Sequence, residues 1–238
     1  MTVKPIVPGL YEIRLGMVNA FLLEADDGLT LVDTAISGAA PVILAAARAM
    51  GAPIARILLT HAHSDHAGSR DALPDALPDA AVLISARDAP FLAGDKSLDP
   101  TEPQDKPRDA YQTCKTRPTR LLQPGDHVGS LEVVAAPGHT PGHVAFLDTR
   151  DGTLIVGDAF QTRGGVAVSG TVRPLFPFPA LATWHKPTAL ESARALRALN
   201  PSRLAVGHGV VLTDPLPAMD RAIAEAERRL GARVVHAG

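Results

Sequence analysis

The chain has a single cysteine, Cys114, so no disulfide can form within it. No apolar run approaches the roughly 18 residues that a membrane-spanning helix needs. Charge of one sign is also missing. Lys and Arg number 23 against 25 Asp and Glu, a formal net charge of -2, which offers no electrostatic reason for binding nucleic acid. The first residues, M-T-V-K-P-I-V-P, lack an apolar stretch followed by a small-residue cleavage site, so export is not expected. These absences together predict a soluble cytoplasmic protein with neither membrane nor nucleic acid among its partners.

What is present is apolar bulk and an uneven placing of histidine. Hydrophobic residues make up 46% of 238, enough for a full core. We expect one domain over residues 1–238, with a surface insertion at about 94–118 where Pro, Asp, Lys and Thr replace the regular apolar pattern. Leu10–Leu15, Ala20–Ala25 and Leu29–Asp33 read as strands, with Asp26–Asp27–Gly28 as a tight turn. Ala39–Met50 reads as a helix ended by Gly51 and Pro53. Ala55–Leu59 is a buried strand, Ser69–Leu77 a helix interrupted by Pro74, and Ala81–Ser85 a strand. Val128–Ala135, Val144–Asp148 and Leu154–Val156 are further strands. Ala159–Leu181 is irregular, Thr183–Leu199 a helix, Arg203–Val206 a strand and Pro215–Leu230 an amphipathic helix, with Val234–His236 as a last edge strand. No short internal repeat stands out, yet the two halves follow a similar order. The predicted class is α+β, a four-layer αββα sandwich with a cleft where strand ends meet.

Five of the nine histidines belong to one pattern. His61, His63, Asp65 and His66 fall within L-L-T-H-A-H-S-D-H-A-G, directly after a strand. In extended chain, His61, His63 and Asp65 point one way and His66 another, which suits two ions side by side. His139 follows a strand in A-A-P-G-H-T-P-G-H, Asp158 follows one in L-I-V-G-D-A, and His208 follows one in L-A-V-G-H-G. The glycines beside His208 permit close backbone approach. A carboxylate can bridge two cations. Imidazole and carboxylate without thiolate suit two Zn2+, with Mn2+ or Fe also acceptable. Such a centre lowers the pKa of a shared hydroxide and stabilises a developing oxyanion. His143 is read as closing its turn or supporting the site, and His127, His185 and His236 as surface or packing residues. Cys114 has neither base nor metal motif beside it.

T-H-A-H-S-D-H at 60–66, G-H-T-P-G-H at 138–143, G-D at 157–158 and G-H-G at 207–209 resemble the metallo-β-lactamase superfamily, across almost the whole chain. The resemblance implies the αββα sandwich with metals at the edge between its sheets. It also implies that His61, His63 and His139 hold one metal, that Asp65, His66 and His208 hold the second, and that Asp158 bridges them. The G-H-T-P-G-H form is similar to the glyoxalase II-like and lactonase-like branches. About 30 residues follow His208, too few for the C-terminal helical region with which glyoxalase II enzymes bind glutathione. Lactone hydrolases of the superfamily place a tyrosine near the metals; this chain has only Tyr11 and Tyr111, neither of which matches that position, although Tyr111 could reach the cleft from the insertion.

The expected function is metal-dependent hydrolysis of a small ester, lactone or thioester. A dinuclear-metal-bound hydroxide would attack the carbonyl, and Asp65, the catalytic residue, would orient it as well as bind metal. The alternatives are a mononuclear iron sulfur (persulfide) dioxygenase, a phosphodiesterase on nucleotide or RNA, and a non-catalytic binding protein of the same fold. Substrate choice is expected in the two irregular segments, with Tyr111, Phe160, Phe176 and Phe178 as candidate pocket residues. Phe176 and Phe178 could equally form a homodimer contact.

Overall fold

A computed structural model describes residues 2–108 and 110–236. Four antiparallel strands open the chain: β1 (Thr2–Val7), β2 (Leu10–Leu15), β3 (Val18–Ala25) and β4 (Gly28–Val32). Helix α1 (Ala40–Met50) crosses over to β5 (Ile54–Leu58), which pairs parallel to β4. Gly51 ends α1 in the left-handed region, φ 72°. Two short helices, α2 (Ser64–Ala67) and α3 (Ala72–Ala76), lead to β6 (Ala81–Ser85), and α4 (Ala89–Leu92) follows. After a long loop, β7 (Arg120–Leu122) closes a seven-stranded sheet in sequential order.

The second sheet takes β8 (His127–Val128), β9 (Leu131–Ala135), β10 (Val144–Asp148) and β11 (Thr153–Ile155). A small hairpin, β12 (Phe160–Gln161) with β13 (Ala167–Val168), and helix α5 (Phe178–Ala182) lie outside it. Helix α6 (Lys186–Ala198) returns the chain to β14 (Arg203–Ala205), parallel to β11. Strand β15 (Leu212–Thr213) forms the edge and α7 (Leu216–His236) packs outside.

Alternation along the strands makes the layers. On β3, Ala20 and Leu22 face α1 with Ile43 and Ala47, while Phe21 and Leu23 face the second sheet. Ile57 and Leu58 of β5, and Val82 and Leu83 of β6, divide the same way. From the second sheet, Val144, Phe146 and Ile155 meet that inter-sheet core, while Ala145 and Leu154 pack on Leu190, Ala193 and Leu196 of α6 and Met219 and Ile223 of α7. The result is the expected α+β sandwich, αββα. Among the described residues, no helix is long and apolar enough to cross a membrane.

Several expectations need correction. Strand β1 was not foreseen, because Pro5 interrupts its pattern; at a sheet edge a missing N–H is tolerated. The segment 128–135 is not one strand but the β8–β9 hairpin, turned at Gly129 with φ 60°. Asp65 and His66 do not continue the extended chain of His61–His63. They lie on α2, which begins at Ser64. Residues 234–236 form no edge strand, since α7 runs on to His236, carried by an apolar face at Met219, Ala222, Ile223 and Ala226. Among the described residues of 94–118 there is neither helix nor extended strand. The segment is tied across the mouth of the cleft: Ser64 N–H donates to Ala110 O at 2.8 Å, and Trp184 Nε1–H donates to Asp105 O at 2.7 Å.

Candidate metal centre

The C-terminal ends of β4, β5, β6, β9, β11 and β14 all open on one rim of the sandwich, joined across the sheets by Val144 N–H to Thr60 O at 2.9 Å and Asn19 N–H to Gly207 O at 2.8 Å. Past β4 the chain turns at Asp33, φ 62°, and the Asp33 carboxylate accepts from the Thr60 N–H at 2.8 Å and the Thr60 hydroxyl at 2.9 Å. That holds the start of the histidine segment. His61 and His63 stay in extended chain, His63 preceding the first turn of α2 with ψ 149°. Asp65 and His66 then project from that turn.

The other donors arrive on tight turns. His139 follows β9, and its Nδ1 lies 3.0 Å from the Ser169 hydroxyl, which Thr183 supports at 2.8 Å. Asp158 follows β11, and its N–H donates to His143 Nε2 at 3.1 Å. His143 is therefore a buried support of the Asp158 turn. His208 follows β14 and donates from Nδ1 to Met17 O at 2.8 Å. Asn19 donates to Val206 O and Gly209 O, both at 2.9 Å, cradling that loop. A Cβ on Gly207 would run into the His66 ring, so only glycine fits there.

The seven donors gather into two groups, His61–His63–His139 and Asp65–His66–Asp158–His208, each with its ligand atoms within 4.8 Å of one another. Asp158 sits between them. Its Oδ2 is 3.3 Å from both His139 Nε2 and His208 Nε2, and its Oδ1 is 3.2 Å from His66 Nε2. Asp65 Oδ2 is 3.2 Å from His208 Nε2.

The donor set fits metal ions. Five imidazoles and two carboxylates face one buried space without thiolate. His61 Nε2 and His63 Nε2 are buried with no hydrogen-bond partner among the described residues, a costly state unless something occupies that space. Outer nitrogens are fixed as metal-bound histidines require: His66 Nδ1 bonds Asp33 at 2.8 Å, His208 Nδ1 bonds Met17 O, and His61 Nδ1 meets Thr60 Oγ1 at 3.0 Å.

The two groups differ in electrostatics. Burial holds His61 well below the usual histidine range, His63 at about 4 and His139 at about 3, so all three are neutral at neutral pH. In the other group burial pushes the same way but the carboxylates outweigh it. Asp158, Asp65 and Asp33 raise His66 well above the ordinary value, and Asp158 above all raises His208 to about 9. Asp158 and Asp65 are held low despite burial, chiefly by His208 and His66 for the former and by His66 for the latter.

The remaining candidates separate. Phe178 is 58% exposed and lines a cleft of about 410 Å³ with Pro179, Leu181, Arg108, His63 and Asp65. Tyr111 packs its ring against His63, centroids 4.6 Å apart, from the loop over the mouth. Phe176 is buried with its ring centroid 5.1 Å from that of His208. Phe160 cannot line a pocket, because it is completely buried in the core beneath α6 and α7. His185 caps α6, its Nδ1 accepting from Thr188 N–H at 3.3 Å, and His127 is exposed. The side chain of His236 lies outside the described residues. The supports Asp33, Asp88, Asn19 and Ser169 were missed. Only Asp33, at a strand end in L-V-D-T, carried a signal like that of Asp158.

Two paired sheets with a histidine–aspartate metal site at their shared rim define a metallo-hydrolase fold. The family model of the metallo-beta-lactamase superfamily matches residues 13–208, and the chain belongs to that superfamily. It is 49% identical over 212 residues to the uncharacterized protein YobT of Bacillus subtilis (strain 168), covering 89% of this chain and 91% of that one. It is 32% identical over 156 residues to a hydroxyacylglutathione hydrolase of Xanthomonas axonopodis pv. citri, covering 65% of this chain and 51% of that enzyme. Among solved structures it is similar to TTHA1623 in a di-iron-bound form, with 30% identity and a TM-score of 0.63 over 87% of this chain and 96% of that one.

Proposed function

We propose that this protein is a dinuclear metal-dependent hydrolase of small esters, lactones or thioesters. The observation that carries the reading is the pairing of two donor groups through Asp158 at the floor of an open cleft. His61, His63 and His139 would hold one ion, and Asp65, His66 and His208 the other, with Asp158 shared. Zinc is the expected pair, and iron is the alternative raised by the similarity to a di-iron-bound structure. Two bound cations supply Lewis acidity and bring the pKa of a water near neutrality.

Asp65 is the proposed catalytic residue. Its side chain is 37% exposed, against 3% or less for His66, Asp158, His139 and His208. It is therefore the donor best placed to meet water and substrate, orient the attacking oxygen and accept its proton. Phe178, Pro179 and Leu181 give the cleft apolar surface, and the exposed cation Arg108 joins them. A cleft of this size and lining suits a small organic acyl compound. The likeness to a hydroxyacylglutathione hydrolase supports a carbonyl substrate.

The test is metal analysis of purified protein combined with a hydrolysis screen over lactones, thioesters, β-lactams and bis-p-nitrophenyl phosphate. The expected result is two metal equivalents, with lactone, ester or thioester turnover lost on chelation and restored by Zn2+. Full turnover in metal-stripped protein would overturn the reading. A single iron with oxygen uptake on a persulfide would replace it with a dioxygenase.

A further inference from the structure

Asp88 is not one of the seven donors, yet it touches the loops that carry three of them. It stands at the start of α4, where aspartate commonly caps a helix, but its carboxylate makes no bond to that helix. It accepts instead from the Ala62 N–H at 2.9 Å, the Thr140 hydroxyl at 2.8 Å and the Gly142 N–H at 2.8 Å. Ala62 lies between His61 and His63, and Thr140 follows His139. Ser85 adds a strap, its hydroxyl donating to Gly142 O at 2.5 Å and accepting from the Asp88 N–H at 3.0 Å. The fit is close, since a Cβ on Gly142 would collide with the Asp88 backbone.

Asp88 is completely buried, and its neighbour Arg87 turns away to pair with Glu102 at 2.7 Å. Burial pushes the carboxyl up to about 6, against the pull of its three donors. Burying a carboxylate without a paired cation is expensive, and among the described residues the two histidine loops, with a weaker pull from Arg87, offset that cost. The other donor group leans elsewhere: His66 on Asp33, and His208 on Met17.

We propose that Asp88 is a positioning residue for the His61–His63–His139 group. It fixes the loop after β5 against the loop after β9, so that three imidazoles from two sheets are preset for one cation. Its carboxylate makes no hydrogen bond to Asp65, His66, Asp158 or His208 themselves. The inference rests on the metal centre and not on the substrate.

The test is titration of the metal-stripped full chain with Zn2+ alone, in competition with a chromophoric chelator. Asp88→Asn keeps the size of the side chain but sets an amide against a donor N–H. We expect affinity for one zinc equivalent to fall about 10- to 100-fold, as losses of outer hydrogen-bond partners do. The other equivalent should stay unchanged. In a His139→Ala background, adding Asp88→Asn should leave the remaining affinity unchanged, which assigns the effect to the three-histidine group. A merely structural role would move both equivalents together with the melting temperature. Equal weakening of both equivalents, or of neither, would overturn the proposal. If Asp88→Asn does not fold, Thr140→Val removes one of the three bonds. It should weaken the same single equivalent by a smaller factor, and no change in either equivalent would sink the idea. The readout is binding, so it stands whether or not the protein proves to be a hydrolase.

Discussion

The two donor groups share Asp158 and a few ångströms of space, but they are opposite kinds of site. His61, His63 and His139 are neutral imidazoles, made so by burial. Asp65, His66, Asp158 and His208 form a charged network in which the carboxylates keep the histidines protonated when no cation is present. A cation entering the first group meets neutral imidazoles. A cation entering the second must displace protons. The difference gives one rim two donor groups of unlike chemistry, with a separate carboxylate behind each group.

The harshest way to break the comparison is Asp158→Ala, which removes the group common to both sites. Because metal assistance supplies several kcal/mol of transition-state stabilisation, kcat/KM should fall by at least about 10³-fold. Two metal equivalents with near-normal turnover would refute the shared role. Asp33→Asn is the counterpart of the Asp88 variant. It strips the carboxylate from His66 Nδ1 and should weaken the other zinc equivalent about 10- to 100-fold, read by the same chelator competition. If both variants weaken the same equivalent, the two groups are not supported separately.

A gentler probe is pH. His208 has a folded value of about 9, raised above its ordinary 6.5. In metal-stripped protein its stabilising contribution is fully present below about pH 6.5 and is lost as pH rises through about 9. Zinc affinity at this group should rise over the same window, with at least one proton released per ion. His63 and His139, lowered to about 4 and 3, contribute stability above pH 6.5 that is lost as pH falls through those values. Zinc affinity at the three-histidine group should therefore be flat between pH 6.5 and 9. Calorimetric titration in buffers of different ionisation enthalpy counts the protons, and equal release at both groups would contradict the contrast.

The smallest effect belongs to the cleft wall. Phe178→Ala should raise KM for apolar acyl substrates by up to about fivefold, with kcat nearly constant, because an exposed ring gives up only about 1 kcal/mol of contact. A large fall in kcat would mean that α5 does more than line the cleft.

The strands were legible because β3, β5, β6, β10 and β11 carry continuous or alternating apolar runs bounded by turn residues. The β8–β9 hairpin and β1 were not, since a glycine turn and an edge proline blur the period. The donors were legible for a local reason: each follows a strand, and H-x-H-x-D-H is compact. Their supports were not. Asp33 meets Thr60 27 positions away and Asp88 meets Thr140 52 positions away, separations that no spacing rule spans.

By itself, then, the sequence determined the sandwich and its donors, because apolar period and strand-end chemistry are local properties of a chain. Only the tertiary structure decided how those donors divide into a neutral and a charged group, and that Asp33 and Asp88 stand behind them. Burial and neighbouring charge set protonation, and both arise only when distant strand ends are brought to one rim.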